Sequence, residues 1–203
     1  MLNLNKEEVL FLVTADMKKE VADFLETVDA KIDPILTYIR ENQVERICFA
    51  GCGSSSAAGR TEKYLADKYT KLAVNAYTGW EFIDSMPVYG DRKMLAVFIS
   101  QSGTTEEIVK GLRKAKEQGI TTVGVCDRGE DNPLGQEADY VVDYHAEAMW
   151  ECQLVALYTL IARLSLERGE STEVMEQILS DMKRLPEVLG HHIETYEEKA
   201  LEM

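Results

Sequence analysis

The stretch Met94–Gly119, MLAVFISQSGTTEEIVKGLRKAKEQG, decides the fold. It opens on an apolar run, Met94–Ser100, rich in valine, isoleucine and aromatic character, which suits a strand buried in a parallel sheet. A glycine and several hydroxyls follow at a sharp junction. Thr104–Gln118 then reads as a helix. The same succession surrounds it on both sides. Arg46–Ala50 (RICFA), Leu72–Tyr77, Thr121–Asp127 and Tyr140–Asp143 are further short apolar runs. Helical segments separate them at about Ser55–Tyr69, Trp80–Ser85 and, as a turn, Pro133–Gln136. Strands alternating with helices predict an α/β fold: an αβα sandwich with a doubly wound, five-stranded parallel sheet.

Helical extensions flank this core. Residues 1–45 read as two helices, with Pro34 tolerated near the start of the second. Ala146–Arg168 reads as a long helix stopped at Gly169. Ser171–Met203 continues as helix, with a break at Pro186. The expected organisation is N-terminal helices packed on the core (1–45), a ligand-binding domain (46–170) and a C-terminal helix (171–203).

Composition narrows the function. With 22 basic and 36 acidic residues the formal charge is −14, and no basic stripe offers a nucleic-acid footprint. No apolar run approaches the roughly 18 residues of a membrane span. The start, MLNLNKEEVLFLV, lacks the basic region and cleavage site of a signal peptide. The cysteines Cys48, Cys52, Cys126 and Cys152 form no C-x-x-C pair, so a zinc or redox motif is not expected. Cys48 and Cys126 sit in apolar runs as buried thiols. A reducing, cytoplasmic location fits, and neither a metal nor another cofactor is expected. An acidic protein that binds an anion must hold it locally with oriented dipoles, because its overall field repels the ligand.

Two junctions could do this. Gly51-Cys52-Gly53-Ser54-Ser55-Ser56 follows the first strand, and Ser100-Gln101-Ser102-Gly103-Thr104-Thr105 follows the third. Glycine admits close backbone approach. Free N–H groups at a helix start favour an anion, and hydroxyls can donate to phosphate oxygens. The same residues also serve as ordinary caps, and Thr104-x-x-Glu107 has the form of a capping box. Two such loops on one sheet edge favour a binding site. A Walker loop is excluded for want of Gly-Lys-Ser/Thr. A dinucleotide site is disfavoured because Ser56 replaces the third small residue and no acid ends the second strand. Neither loop carries a lysine or arginine. Glu106 and Glu107 lie just beyond, where they favour the helix dipole but must point away from a bound phosphate.

Gly-Cys-Gly-Ser-Ser and Ser-Gln-Ser-Gly-x-Thr together resemble the signature of the sugar isomerase (SIS) domain family, which includes the isomerase half of glucosamine-6-phosphate synthase. The segments Leu12–Met17 (LVTADM), Thr78–Phe82 (TGWEF), Met149–Glu151 (MWE) and Leu185–Lys199 (LPEVLGHHIETYEEK) extend the likeness. They resemble the first half of bacterial fructosamine-6-phosphate deglycases, the fructoselysine-6-phosphate deglycases among them, over Leu2 to about Lys199. The resemblance implies that Ser100, Gln101, Ser102 and Thr105 bind the phosphate. It also implies that Gly53, Ser54 and Ser55 serve the sugar or phosphate from the facing loop.

The chain departs from that family in one respect. The resembled enzymes carry two SIS domains, and their Glu/His acid–base pair lies in the second, in a motif absent here. Moving a proton between C1 and C2 of a ketosamine needs a positioned base. The candidates in this chain are Glu151 and His145, near the ligand edge. Trp80 and Glu81 read as packing and surface, and His191 and His192 as solvated or packed on a partner. The implied function is the substrate-binding half of a deglycase or sugar-phosphate isomerase; a non-catalytic sugar-phosphate sensor is the alternative. The implied partner is a second SIS domain or a second copy of this chain, as in a dimer.

Overall fold

The structure, a computed structural model, describes residues 17–85 and 93–191. Five strands form one sheet: β1 (Arg46–Gly51), β2 (Ala73–Thr78), β3 (Met94–Ile99), β4 (Thr121–Asp127) and β5 (Tyr140–Tyr144). Their order is β2-β1-β3-β4-β5, and every pairing is parallel. The alternation expected from the sequence holds, with strand limits shifted by a residue at most.

Period-2 side-chain alternation divides the core. Phe49, Val97, Ile99 and Val125 face one side. There they meet α1 (Met17–Glu41), α2 (Ser54–Tyr69) and α6 (Met149–Glu167). Ala50, Ala96, Phe98 and Cys126 face the other. That side is covered by α3 (Gly79–Ser85), α4 (Glu106–Glu117) and α5 (Pro133–Glu137). Phe98 meets Phe82 of α3 edge-on at 5.0 Å between ring centres. All six residues of β3 are buried, as the central strand of a doubly covered sheet must be.

The N-terminal helices differ from expectation. Residues 17–41 form one continuous helix with Pro34 inside it. Proline in a helix interior costs about 3 kcal/mol. The buried stripe Val21, Phe24, Val28, Ile32, Ile35, Leu36 and Ile39 keeps one helical phase across Pro34, and burial of that stripe offsets the lost hydrogen bond. The second part of the expected earlier helix is thus the start of this one; its first part lies outside the described residues, as do LVTADM apart from Met17, His192 and the end of the chain.

At the far end α7 (Thr172–Lys183) stops at Arg184, and helix resumes over residues 185–191. The break falls two residues before Pro186. Proline cannot donate to the carbonyl four residues back, and the Arg184 N–H turns instead to Asp181 O at 3.0 Å. Among the described residues, no helix is long and apolar enough to cross a membrane.

Candidate functional site

The chain leaves β1 for β2 on one side of the sheet and enters β3 on the other. This reversal opens a crevice at the carboxyl ends of β1 and β3, the place where open parallel sheets bind ligands. Both hydroxyl-rich loops end there. They enclose a cleft of about 200 Å³ lined by Cys52, Ser54, Ser55, Ile99, Ser100, Gln101, Ser102, Thr105 and Met149. A larger cleft, about 530 Å³, lies by Val44, Glu45 and Arg168 at the amino ends of the strands. We favour the smaller one on chemical grounds: its walls are hydroxyls and a helix start.

The first loop is shaped by two glycines. A Cβ on Gly51 would lie 2.6 Å from the Ser55 carbonyl carbon, so the loop can fold over β1 only if residue 51 has no side chain. Gly53, at φ 56°, caps α2. Ser55 is buried and Ser54 exposed beside it.

The second loop spends its hydroxyls on one another. Ser100 Oγ lies 2.9 Å from Thr105 Oγ1, and Thr104 Oγ1 donates to Ser102 Oγ at 2.9 Å. Thr105 is the N-cap of α4, yet no side chain caps that helix. The capping box that Thr104-x-x-Glu107 has the form of is therefore not formed. One does form at Thr78-x-x-Glu81. There Thr78 N–H donates to Glu81 Oε2 at 2.7 Å, and Glu81 N–H donates to Thr78 Oγ1 at 3.3 Å. Hydroxyls freed from capping, beside helix N–H groups with no intrahelical acceptor, suit an anionic oxygen.

Asn132, which sequence reasoning missed, braces this loop from behind. It is buried and packed on Gly103, which has φ 61°. Its Nδ2 donates to Asp127 O at 2.8 Å and Arg128 O at 2.9 Å, and its Oδ1 accepts from Gly135 N–H at 2.9 Å. Leu134 N–H donates to Gly103 O at 3.0 Å. The Asn-Pro-Leu-Gly run at 132–135 was a visible turn signal, but nothing local tied it to Gly103.

The acids beside the loop point elsewhere. Glu106 pairs with Lys110, which holds its carboxyl below the usual range. Glu107 accepts from Cys52 Sγ at 3.2 Å. Trp80 is half exposed, with Lys110 5.7 Å from its ring centre.

Neither candidate base lines the cleft. His145 Nε2 sits 3.4 Å from Asp143 Oδ2 and 3.7 Å from Glu130 Oε1, toward the β4–β5 end of the edge. Asp143 is also paired with Lys31 at 2.5 Å, and that ammonium competes with any cation for the same carboxylate. Glu151 lies in the first turn of α6, where Met149 rather than Glu151 reaches the cleft. Among the lining residues, the ionisable one is Cys52. Cys52, Ile99 and Met149 escaped sequence reasoning because apolar and thiol side chains announce no ligand.

The SIS domain pattern matches residues 42–166, well over half of the chain. The chain belongs to the SIS domain family. Among SIS proteins it is 34% identical over all 203 residues to fructoselysine 6-phosphate deglycase of Escherichia coli K12, covering 59% of that protein. It is 31% identical over 175 residues to the isomerizing glutamine–fructose-6-phosphate aminotransferase of Tropheryma whipplei strain Twist, covering 81% of this chain and 28% of the relative. Among solved SIS-like structures, a candidate phosphosugar isomerase from Bacillus subtilis superposes with a TM-score of 0.74 and 25% identity. That match covers 88% of this chain and 55% of the other. This SIS chain thus spans about three fifths of the deglycase's length and about half of the isomerase chain.

Proposed function

We propose that this SIS domain holds the phosphate end of a fructosamine 6-phosphate. In this reading it is the substrate-binding half of a deglycase or related sugar-phosphate isomerase. The observation that carries the proposal is the meeting of two uncapped, hydroxyl-rich loops across one cleft at the strand-order reversal. Whole-chain identity to a deglycase supports the substrate class.

In this reading Ser100, Ser102 and Thr105 donate to the phosphate oxygens, with the Gln101 amide and the leading N–H groups of α4. Each hydroxyl exchanges its loop partner for a ligand oxygen, so the site is satisfied both empty and filled. Ser54 and Ser55 reach the same ligand from the facing loop, where Gly53 sets the backbone. A cradle of neutral donors suits a chain of charge −14, because short-range hydrogen bonds to the anion are stronger than neutral ones.

Among the described residues, the cleft lining offers no carboxylate or imidazole for C1/C2 proton transfer. In the catalytic reading the base and the acid that expels the amine therefore come from outside this cleft, from a second SIS domain or a second copy. Residues 46–170 are then the phosphosugar-binding unit, residues 1–45 its packed extension, and 171–203 the connection onward. The same lack of a base favours the alternative, a non-catalytic regulatory domain that binds sugar phosphate. One assay separates the two. The full-length protein is incubated with fructoselysine 6-phosphate, and free lysine and glucose 6-phosphate are measured. Their release in equal amounts is expected; tight binding without release would establish the regulatory reading instead.

A further inference from the structure

The first-turn acid Glu107 faces neither solvent alone nor the cleft. Its Oε1 accepts the Cys52 S–H at 3.2 Å. Its stem lies flat on Gly79, so closely that a Cβ there would stand 2.4 Å from Glu107 Cγ and 3.0 Å from Glu107 Cβ. Three segments meet at this point: the β1–α2 loop through Cys52, the β2–α3 junction through Gly79, and the start of α4 through Glu107. Cys52 also lines the cleft, together with Ser54 and Ser55 of its own loop and Ser100 and Thr105 of the other.

We infer that Glu107 is a positioning residue that grips Cys52 and so fixes the spacing between the two ligand loops. The inference rests on the binding role proposed above. It also accounts for an acid next to an anion site: the carboxylate is turned to the rear of the cleft, where an S–H donor and the α4 dipole meet it. Burial, and then the Glu107 carboxylate, push the Cys52 thiol above its ordinary range, as a thiol donating to a carboxylate should be.

Two measurements test this separately. The first needs no sugar: the rate at which iodoacetamide alkylates Cys52 in the native protein. Burial pushes Cys48 and Cys126 up to about 11 and Cys152 up to about 12, so Cys52 is the expected reactive thiol. Glu107→Gln should raise its rate about fivefold, because a weaker acceptor frees the proton. Gly79→Ala, which must displace the Glu107 stem, should do the same while leaving both partners in place. An unchanged rate in both variants overturns the clamp.

The second is a double-mutant cycle on the Kd for glucitol 6-phosphate. Cys52→Ala and Glu107→Ala should each weaken binding about tenfold, the double variant no further, and Cys52→Ser should stay near the parent. Additive losses overturn the clamp. Should the parent itself fail to bind, the functional reading falls and the alkylation rates still decide the clamp. Thermal melts confirm that each variant is folded.

Discussion

Replacing Glu62 with methionine should stabilise the fold by about 1–3 kcal/mol at neutral pH, the ordinary cost of leaving a buried polar group unsatisfied. Glu62 lies on α2 with no exposed surface, and neither carboxylate oxygen has a hydrogen-bond partner. Ser55, Gly59 and Ala66 share its buried helix face. Across the contact with α6, Tyr158 is the ionisable group that senses it. Burial without a counter-charge pushes the carboxyl well above its ordinary value, toward the neutral acid. The sign follows by linkage. A folded-state value above the unfolded one means that the stability contributed is complete below the ordinary carboxylate range. It is lost as pH rises through the folded value, because the unfolded chain gives up its proton first.

Urea unfolding across a pH series reads this directly. The parent should lose stability from mildly acid to neutral pH, and Glu62→Gln should flatten that slope. Methionine keeps the unbranched length and fills the same space without a charge. Equal slopes in parent and Glu62→Gln would refute the assignment. The carboxyls of Asp139 and Asp143, although burial opposes it, are held low by Lys116 and Lys31 respectively, together with hydrogen bonds. They act in the opposite sense and at lower pH, so the comparison with Glu62→Gln isolates Glu62.

The second large effect belongs to Gly103. Gly103→Ala places a methyl at φ 61°, 1.8 Å from Asn132 Oδ1. Backbone strain at such a site costs of order 1–3 kcal/mol for a residue with a side chain. Asn132 must also move, and its three hydrogen bonds to Asp127, Arg128 and Gly135 move with it. A loss of about 3 kcal/mol or more is expected in urea unfolding. Sugar-phosphate affinity should fall about 100-fold, since Ser100, Ser102 and Thr105 hang on the same turn. Adding Asn132→Gly to Gly103→Ala should recover part of the affinity by removing the clash. A Gly103→Ala protein with parental stability and affinity would contradict this picture of the loop.

These two sites show where sequence reading stops. The strands were legible because a run such as MLAVFIS has few alternatives inside an alternating pattern. The ligand loops were legible because glycine and hydroxyls at a strand end are chemically conspicuous. Pro34 misled in proportion to its local weight: it argues for a helix start, yet the apolar stripe that runs through it is longer and prevails. The Thr104–Glu107 spacing was ambiguous by itself, since a capping box and a ligand loop use the same residue types. Glu62, Asn132 and the Cys52–Glu107 contact were not legible. Each depends on which segments the fold brings together, over sequence separations that no local pattern records. Glu62 in particular reads as an ordinary polar helix residue between Thr61 and Lys63.

The central claim is that the cleft between the two loops recognises a phosphate on a sugar. Isothermal titration with glucitol 6-phosphate and, in parallel, with glucitol tests it most directly. Binding that requires the phosphate, and that weakens at least tenfold in a Ser100→Ala, Thr105→Val double variant that still melts as a folded protein, is the predicted result. No binding by the parent protein, equal affinity for the sugar without its phosphate, or unchanged affinity in the double variant would contradict it.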